Sequence, residues 1–194
     1  MDEKIEELLV LSKQIADNAQ QGSDLWRNLR LVKEVYEKLV SLPLDYNEEV
    51  NAPNRVEFIE NLLSCVNELD MPRASLRMRE YQKSILESLP SCKVEIKSID
   101  GDIQLLRDYL NMKISVKEWC QKYGRHLLFD DVERSLKWEE NIFEVEQEIN
   151  KELQNEPRGM GFCFVYWSKK RSALLRRGIE WRSPRVMNPR VMFD

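Results

Sequence analysis

The stretch RGMGFCFVYW, residues 158–167, decides the fold class because it fits either a strand or a helix. A strand would place aromatic side chains on one face and Cys163, Val165 and Trp167 on the other. Both faces would then need burial, which a helical protein does not easily provide. A helix from about Met160 to Arg177 instead gives an inward face and ends at Gly178, a residue suited to a left-handed cap. We therefore predict a helix, with these residues inward: Met160, Cys163, Phe164, Trp167 and Leu174, with Leu175 beside them.

The same stretch comes close to an octamer that RNA-binding β-sheet domains use to stack bases. Arg158, Gly159, Gly161 and Phe162 match that octamer, but Met160 stands where a base-stacking aromatic belongs. The RNA-binding domain also needs a strand, a helix and a strand before the octamer. The residues before Pro157 have the pattern of one helix, so that domain is not predicted.

Composition favours an all-α protein. Of 194 residues, 42% are hydrophobic and 33% charged, with only 6 Gly and 7 Pro, which is too apolar for a disordered chain and too rich in helix-favouring charged residues for an all-β one. The predicted architecture is an irregular multi-helix bundle of six to eight helices with an extended, Pro-containing C-terminal tail.

Apolar spacings of three and four predict the helices of the first half of the chain. A helix over Glu3–Gln20 forms a hairpin with a second helix that is capped by Ser23 or Asp24. The second helix carries the apolar stripe Leu25, Leu29, Val32, Tyr36 and Leu39. A third helix covers Arg55–Leu69, and Pro72 begins a fourth as a first-turn proline. Residues 89–102 are predicted to be irregular, with a short unpaired strand over Lys93–Ile96.

The clearest helix signal is ISVKEWCQKYG, residues 114–124. Ser115 and Glu118 have the spacing of a capping box, and Gly124 closes the helix as a left-handed cap. Asp130 and Glu133 mark a second helix N-terminus, which predicts a long helix to about Gln154. Its inward residues would be Val132, Leu136, Ile142, Val145, Ile149 and Leu153.

Charge is distributed unevenly along the chain. Residues 157–194 contain nine Lys and Arg but only Glu180 and Asp194, a net charge of +7, so residues 1–156 carry −11. We therefore predict an acidic helical body over 1–156 and a basic, aromatic-rich C-terminal module over 157–194, packed together as one domain. Such a basic end binds nucleic acid, an acidic partner or the protein's own acidic body.

The tail SPRVMNPRVMFD, residues 183–194, repeats Pro-Arg-Val-Met twice. Each proline restricts the residue before it to an extended conformation, so the tail is predicted not to continue the helix. Its valines, methionines and Phe193 are too apolar for a solvated segment. The tail therefore needs a groove, in this molecule or in another.

Catalytic motifs are not evident. His126 is the single histidine, and Cys65, Cys92, Cys120 and Cys163 form no C-x-x-C pair, so neither a metal site nor a cofactor is predicted. Glu140, Glu144 and Glu148 lie on one helical stripe, which is usually a solvated face but is able to hold a cation or to meet a basic partner. There is no glycine-rich phosphate loop and no nucleophile elbow. We predict that the protein is not an enzyme.

The predicted function is that of an intracellular adaptor or complex subunit, in the nucleus or the cytoplasm, that does not span a membrane. A protein partner would bind through apolar anchors and arginines of the C-terminal module. An alternative is direct binding of nucleic acid through the basic cluster, and a third is an enzyme of unknown class. The residues assigned to the partner are Trp167, Trp181, Arg185, Met187, Arg190, Met192 and Phe193. The basic cluster comprises Lys169, Lys170, Arg171, Arg176 and Arg177.

Overall fold

The computed structural model describes residues 3–22, 25–46, 50–89, 92–122 and 124–193, and within these ranges it contains helices and no strands. The all-α, multi-helix prediction is thereby confirmed. Residues 1–107 and 108–194 form two compact units. The helices are α1 (Glu3–Gln21), α2 (Asn28–Ser41), α3 (Ala52–Ser64), α4 (Pro72–Ser88), α5 (Lys93–Leu110), α6 (Val116–Lys122), α7 (Leu136–Glu152), α8 (Phe162–Arg176) and α9 (Pro184–Met187).

In the first unit, α1 and α2 pack as the predicted hairpin. Asn28, at the start of α2, is buried and donates hydrogen bonds of 3.0 Å to the carbonyls of Ile15 and Cys65. One amide thus links α1, α2 and the end of α3, because a buried polar group must find partners. The predicted cap at Ser23 or Asp24 lies outside the described residues.

Arg55 of α3 is fully buried, and its guanidinium closes the end of α2. It donates to the carbonyl oxygens of Leu39 and Leu42 at 3.1 and 2.8 Å. It also donates to the carbonyl of Val50 at 2.5 Å, to that of Pro43 and to the Tyr81 hydroxyl at 2.9 Å. Carbonyls at a helix C-terminus have no hydrogen-bond donors within the helix and carry partial negative charge. A guanidinium there supplies the donors and a compensating positive charge.

Two helix boundaries in this unit differ from the predictions. Helix α3 begins at Ala52 rather than Arg55, because the Asn51 side chain accepts a hydrogen bond from the Asn54 N–H and Pro53 fits the first turn. It ends at Ser64 rather than Leu69. Pro72 does begin α4, as predicted.

The predicted strand over Lys93–Ile96 is wrong, since these residues open the 18-residue helix α5. Ile99 and Ile103 are buried against Leu86 of α4, and this burial gives α5 its apolar face. Gly101 lies in the middle of α5. Nothing lies within 4 Å of where its Cβ would be, so it is an exposed helical residue rather than a turn.

In the second unit, the capping box predicted before α6 is present. The Glu118 carboxylate accepts from the Ser115 N–H at 2.7 Å, and the Ser115 hydroxyl accepts from the Glu118 N–H at 3.2 Å. Gly124 follows with a φ of +61°, as a left-handed cap requires. The start of this helix and the conformation after it therefore follow from local sequence.

The long helix predicted from Asp130 is interrupted. Asp130 and Glu133 do form a capping box, but it opens a short 3-10 helix, Asp131–Arg134. Ser135 then caps a new helix, α7, by accepting from the Trp138 N–H at 3.1 Å. The restart turns Trp138 inward and Leu136 outward, so the prediction that Leu136 is buried is wrong.

Helix α8, Phe162–Arg176, confirms the helical interpretation for residues 162–167, whereas residues 158–161 precede the helix. Gly178 has a φ of +67°, as predicted for its closing cap. Leu174 is buried, but Met160 lies before α8 and is 93% exposed, and Leu175 faces solvent. The predicted boundary between residues 156 and 157 falls inside the second unit.

The tail is less extended than predicted. Ser183 and Asn188, the residues before the two prolines, are both non-helical. Between them, Pro184–Met187 forms one helical turn, α9, which Pro184 begins as a first-turn residue. The first Pro-Arg-Val-Met unit is therefore a helical turn, and we correct the prediction of an extended backbone there.

Candidate partner-binding surface

The basic cluster of α8 faces the acidic helix of its own unit. Lys169 binds Glu152 at 3.0 Å, and Arg177 binds Glu148 at 2.9 Å. Arg176 contacts Glu148 as well. The hydrogen bond from Arg177 holds the pKa of Glu148 below its ordinary value, and the hydrogen bond from Arg176 contributes less to the same effect. Much of the positive charge predicted to be available for nucleic acid is therefore neutralised within the unit.

Lys170 points into the unit, and its side chain is only 12% exposed. Its ammonium nitrogen lies 2.6 Å from the Glu146 carboxylate, to which the Tyr166 hydroxyl also donates at 2.6 Å. The same nitrogen lies 5.0 Å from the ring centroid of Trp138, 5.4 Å from that of Trp181 and 5.7 Å from that of Tyr166. Three π-faces and a carboxylate thus surround one cation.

Trp181 belongs to the interior of this unit. It is 5% exposed, its ring centroid lies 6.2 Å from that of Trp138, and its indole N–H donates to the Glu133 carboxylate at 2.7 Å. The structure therefore places this predicted anchor in the core, where it holds the chain after Gly178 against the 3-10 helix.

Two further contacts fix residues 182–193, the segment after α8, to the loop before the 3-10 helix. Arg182 donates to the Asp130 carboxylate from its backbone at 2.7 Å and from its side chain at 3.0 Å. The buried Asn188 side chain forms two 2.8 Å hydrogen bonds to the backbone of Leu128. Burial raises the pKa of Asp130, but the hydrogen bonds from Arg182 and Val132 outweigh it, so the pKa lies below its ordinary value.

Aromatic contacts hold the end of the segment on α8. The Phe193 ring meets the Trp167 ring edge-on, with centroids 5.0 Å apart, and Trp167 meets Phe164 in the same way at 5.6 Å. The Arg185 guanidinium lies 4.9 Å from the centroid of the Phe164 ring. Of the predicted partner residues, the structure thus brings Trp167, Arg185 and Phe193 together.

Other side chains of the segment point to solvent although its backbone is fixed. Met192 is 96% exposed and Val186 58% exposed, and Val191 is exposed too. Met187 is half-buried, and Arg190 is exposed. We name as the tail surface the exposed residues Arg185, Val186, Arg190, Val191 and Met192. Sequence patterns assigned its arginines and Met192 to a partner and named the two valines only as members of a tail too apolar to be solvated.

A cavity of 510 Å³ opens beside this segment, between the second half of α8 and the chain after Gly178. Arg171 and Leu175 line it from α8, and Glu180 and Arg182 line it from the other side. Of the residues that line the cavity, sequence patterns assign only Arg171 and Trp181 to a site, because the cavity forms only when the chain reverses at Gly178.

Among the described residues, no three His, Cys, Asp or Glu side chains are grouped as metal ligands require. Within the same residues no helix is long and apolar enough to cross a bilayer. Cys120, one of the four free cysteines, donates its S–H to the Leu127 carbonyl at 3.3 Å. No protein family, no curated protein and no solved structure matches this chain.

Proposed function

We propose that the protein is a non-enzymatic adaptor or complex subunit that binds a protein partner through the tail surface. The observation that carries this proposal is a contrast within residues 182–193. Arg182, Asn188 and Phe193 contact the rest of the unit, whereas Val186 and Met192 are exposed. A segment that is already held by such contacts loses less backbone conformational entropy on binding than a flexible one does.

The residue types of the tail surface suit a protein interface. Methionine and arginine are enriched at interfaces, and apolar anchors with a charged rim are their usual arrangement. Arg185 directly precedes Val186, and Arg190 lies two residues before Met192. We therefore propose a partner with an apolar pocket bordered by carboxylates.

Nucleic acid is the weaker alternative. Phosphate binding needs unpaired cations, whereas Lys169, Lys170, Arg176 and Arg177 each contact a glutamate of α7. Opening these pairs would expose Glu146, Glu148 and Glu152 to the same phosphates. An intracellular location, in nucleus or cytoplasm, remains part of the proposal.

The test compares tagged full-length variants recovered from the cells that make the protein. We expect Val186→Asp with Met192→Asp to lose the partner and to keep the helical circular dichroism. The matched control is Met160→Asp, because Met160 is 93% exposed but lies outside the tail surface. A partner that binds the double variant and the control equally well would contradict the proposal.

A further inference from the structure

Arg171 differs from the other members of the basic cluster. Lys169, Lys170, Arg176 and Arg177 each contact a glutamate of α7. Arg171 is exposed, lines the 510 Å³ cavity, and forms no hydrogen bond or ion pair with the described part of the chain. A guanidinium carries five N–H donors in a planar fork that fits a carboxylate with two parallel bonds. Its donors are therefore available to a ligand.

Arg182 provides a second guanidinium in the cavity, held rigidly. Its Nε and Nη2 donate to Asp130 at 3.0 Å, and the described residues offer no acceptor to its Nη1. Asp130 accepts four hydrogen bonds, from Val132 and Arg182, so it has little capacity left for a ligand. A ligand thus meets donors from two arginines in this cavity.

The remaining lining discriminates among anions. Leu175 and Trp181 contribute apolar surface, and the exposed Glu180 contributes a carboxylate. The Glu180 carboxylate repels a phosphate more strongly than it repels a ligand carboxylate, because a phosphate carries more negative charge. It also accepts a hydrogen bond from an N–H donor of a ligand. The cavity volume lies in the range of about 300–1,000 Å³ that is usual for binding sites.

We infer that the cavity binds an acidic peptide segment, with an Asp or Glu carboxylate on Arg171 and the neighbouring apolar side chain against Leu175 and Trp181. The peptide N–H faces Glu180. This inference rests on the proposed function, because it names the chemistry of a protein partner at a cavity lined by Arg182, three residues before the tail surface begins in the chain. Charge complementarity selects the occupant: one carboxylate, one N–H donor and one apolar side chain match the groups of the lining.

The test uses acetyl-Glu-Leu-amide as the probe and the isosteric acetyl-Gln-Leu-amide as its neutral counterpart. Binding to the full chain is followed by nuclear magnetic resonance at the indole N–H of Trp181, which changes environment when the cavity fills. We expect saturable binding of the acidic probe with a Kd of about 1 mM, weak because it has few contacts. The neutral probe should bind about tenfold more weakly, because it loses a charge-assisted pair.

Arg171→Gln should weaken binding of the acidic probe about tenfold and should leave binding of the neutral probe unchanged. Lys117→Gln is the matched control, since it removes one exposed positive charge from the same unit but lies on α6. Equal binding of the two probes, no saturable shift, or an equal loss in both variants would overturn the inference.

These outcomes separate the cavity from the tail surface. If the acidic probe binds as expected but the partner tolerates Val186→Asp with Met192→Asp, the proposed function fails at the tail surface and the cavity assignment stands. If the partner requires Val186 and Met192 but the acidic probe does not bind, the cavity assignment alone is overturned.

Discussion

Asn188 pairs with both backbone polar groups of Leu128, a residue 60 positions earlier in the chain. The Leu128 N–H donates to the Asn188 side-chain oxygen, and the Asn188 side-chain nitrogen donates to the Leu128 carbonyl, each at 2.8 Å. The Asn188 side chain therefore forms the two hydrogen bonds to the Leu128 backbone that a neighbouring β-strand would form in a sheet. These bonds hold the tail surface on the second unit.

Asn188→Ala should lower the free energy of unfolding by about 1–3 kcal/mol, because it leaves the Leu128 N–H and carbonyl without these partners. Trypsin should also cut faster after Arg185 and Arg190. Asn141→Ala, which removes one exposed hydrogen bond within α7, is the control and should change neither measurement. Unchanged tryptic cleavage of the Asn188 variant would show that other contacts suffice to hold the segment.

Lys170→Met should cost about 3 kcal/mol in denaturant unfolding, because it leaves the buried Glu146 carboxylate without its cation. The neighbouring Lys169→Met is a matched control. Its partner Glu152 is partly exposed, so the loss should stay below about 0.5 kcal/mol. Adding Glu146→Leu to Lys170→Met should restore part of the stability; similar losses in the two lysine variants would refute the buried pair.

The stability of the second unit should depend on pH through Asp130. Its pKa in the folded protein lies below the ordinary value of 3.8, so the folded state binds the proton less tightly than the unfolded state does. The contribution is complete above that value and disappears as pH falls through the lower folded pKa. Unfolding midpoints measured across acidic pH should therefore fall more steeply for the native protein than for Asp130→Asn. Parallel curves would contradict the assignment.

Gly178→Ala should destabilise the fold by about 1 kcal/mol, because the residue closes α8 with a φ of +67°. The same substitution at Gly101 should stabilise by about 0.5–1 kcal/mol, since that glycine is helical with open space at its Cβ. Denaturant unfolding of both variants, followed by far-ultraviolet circular dichroism, measures whether each substitution raises or lowers the free energy of unfolding. A loss of stability at Gly101 would show that the glycine has a packing role.

Local signals predicted several helix ends. The Ser115–Glu118 capping box, Gly124, Pro72 and Gly178 act through neighbours within a few residues, so their effects are visible in the sequence. The segment around Lys93–Ile96 was misassigned, and the helix that it opens contains Gly101, which lowers helix propensity. The burial of Ile99 and Ile103, a tertiary effect, outweighs that penalty.

The site could be predicted only in part, because burial depends on the fold. Trp181 and Met192 are equally plausible anchors in the sequence, yet one lies against Trp138 and the other is almost fully exposed. Lys170 and Arg171 are adjacent basic residues, but successive residues of a helix point about 100° apart. One therefore enters the aromatic cluster and the other lines the cavity.

The buried Arg55 makes the folding of its surroundings cooperative. Its acceptors come from the end of α2, the loop that follows and the hydroxyl of Tyr81 in α4, and all of them are uncharged. If the loop opened alone, a full positive charge would remain among apolar side chains with its hydrogen bonds broken. These elements should therefore open together as a single folding unit, so hydrogen exchange of their amide protons should give one common free energy of opening.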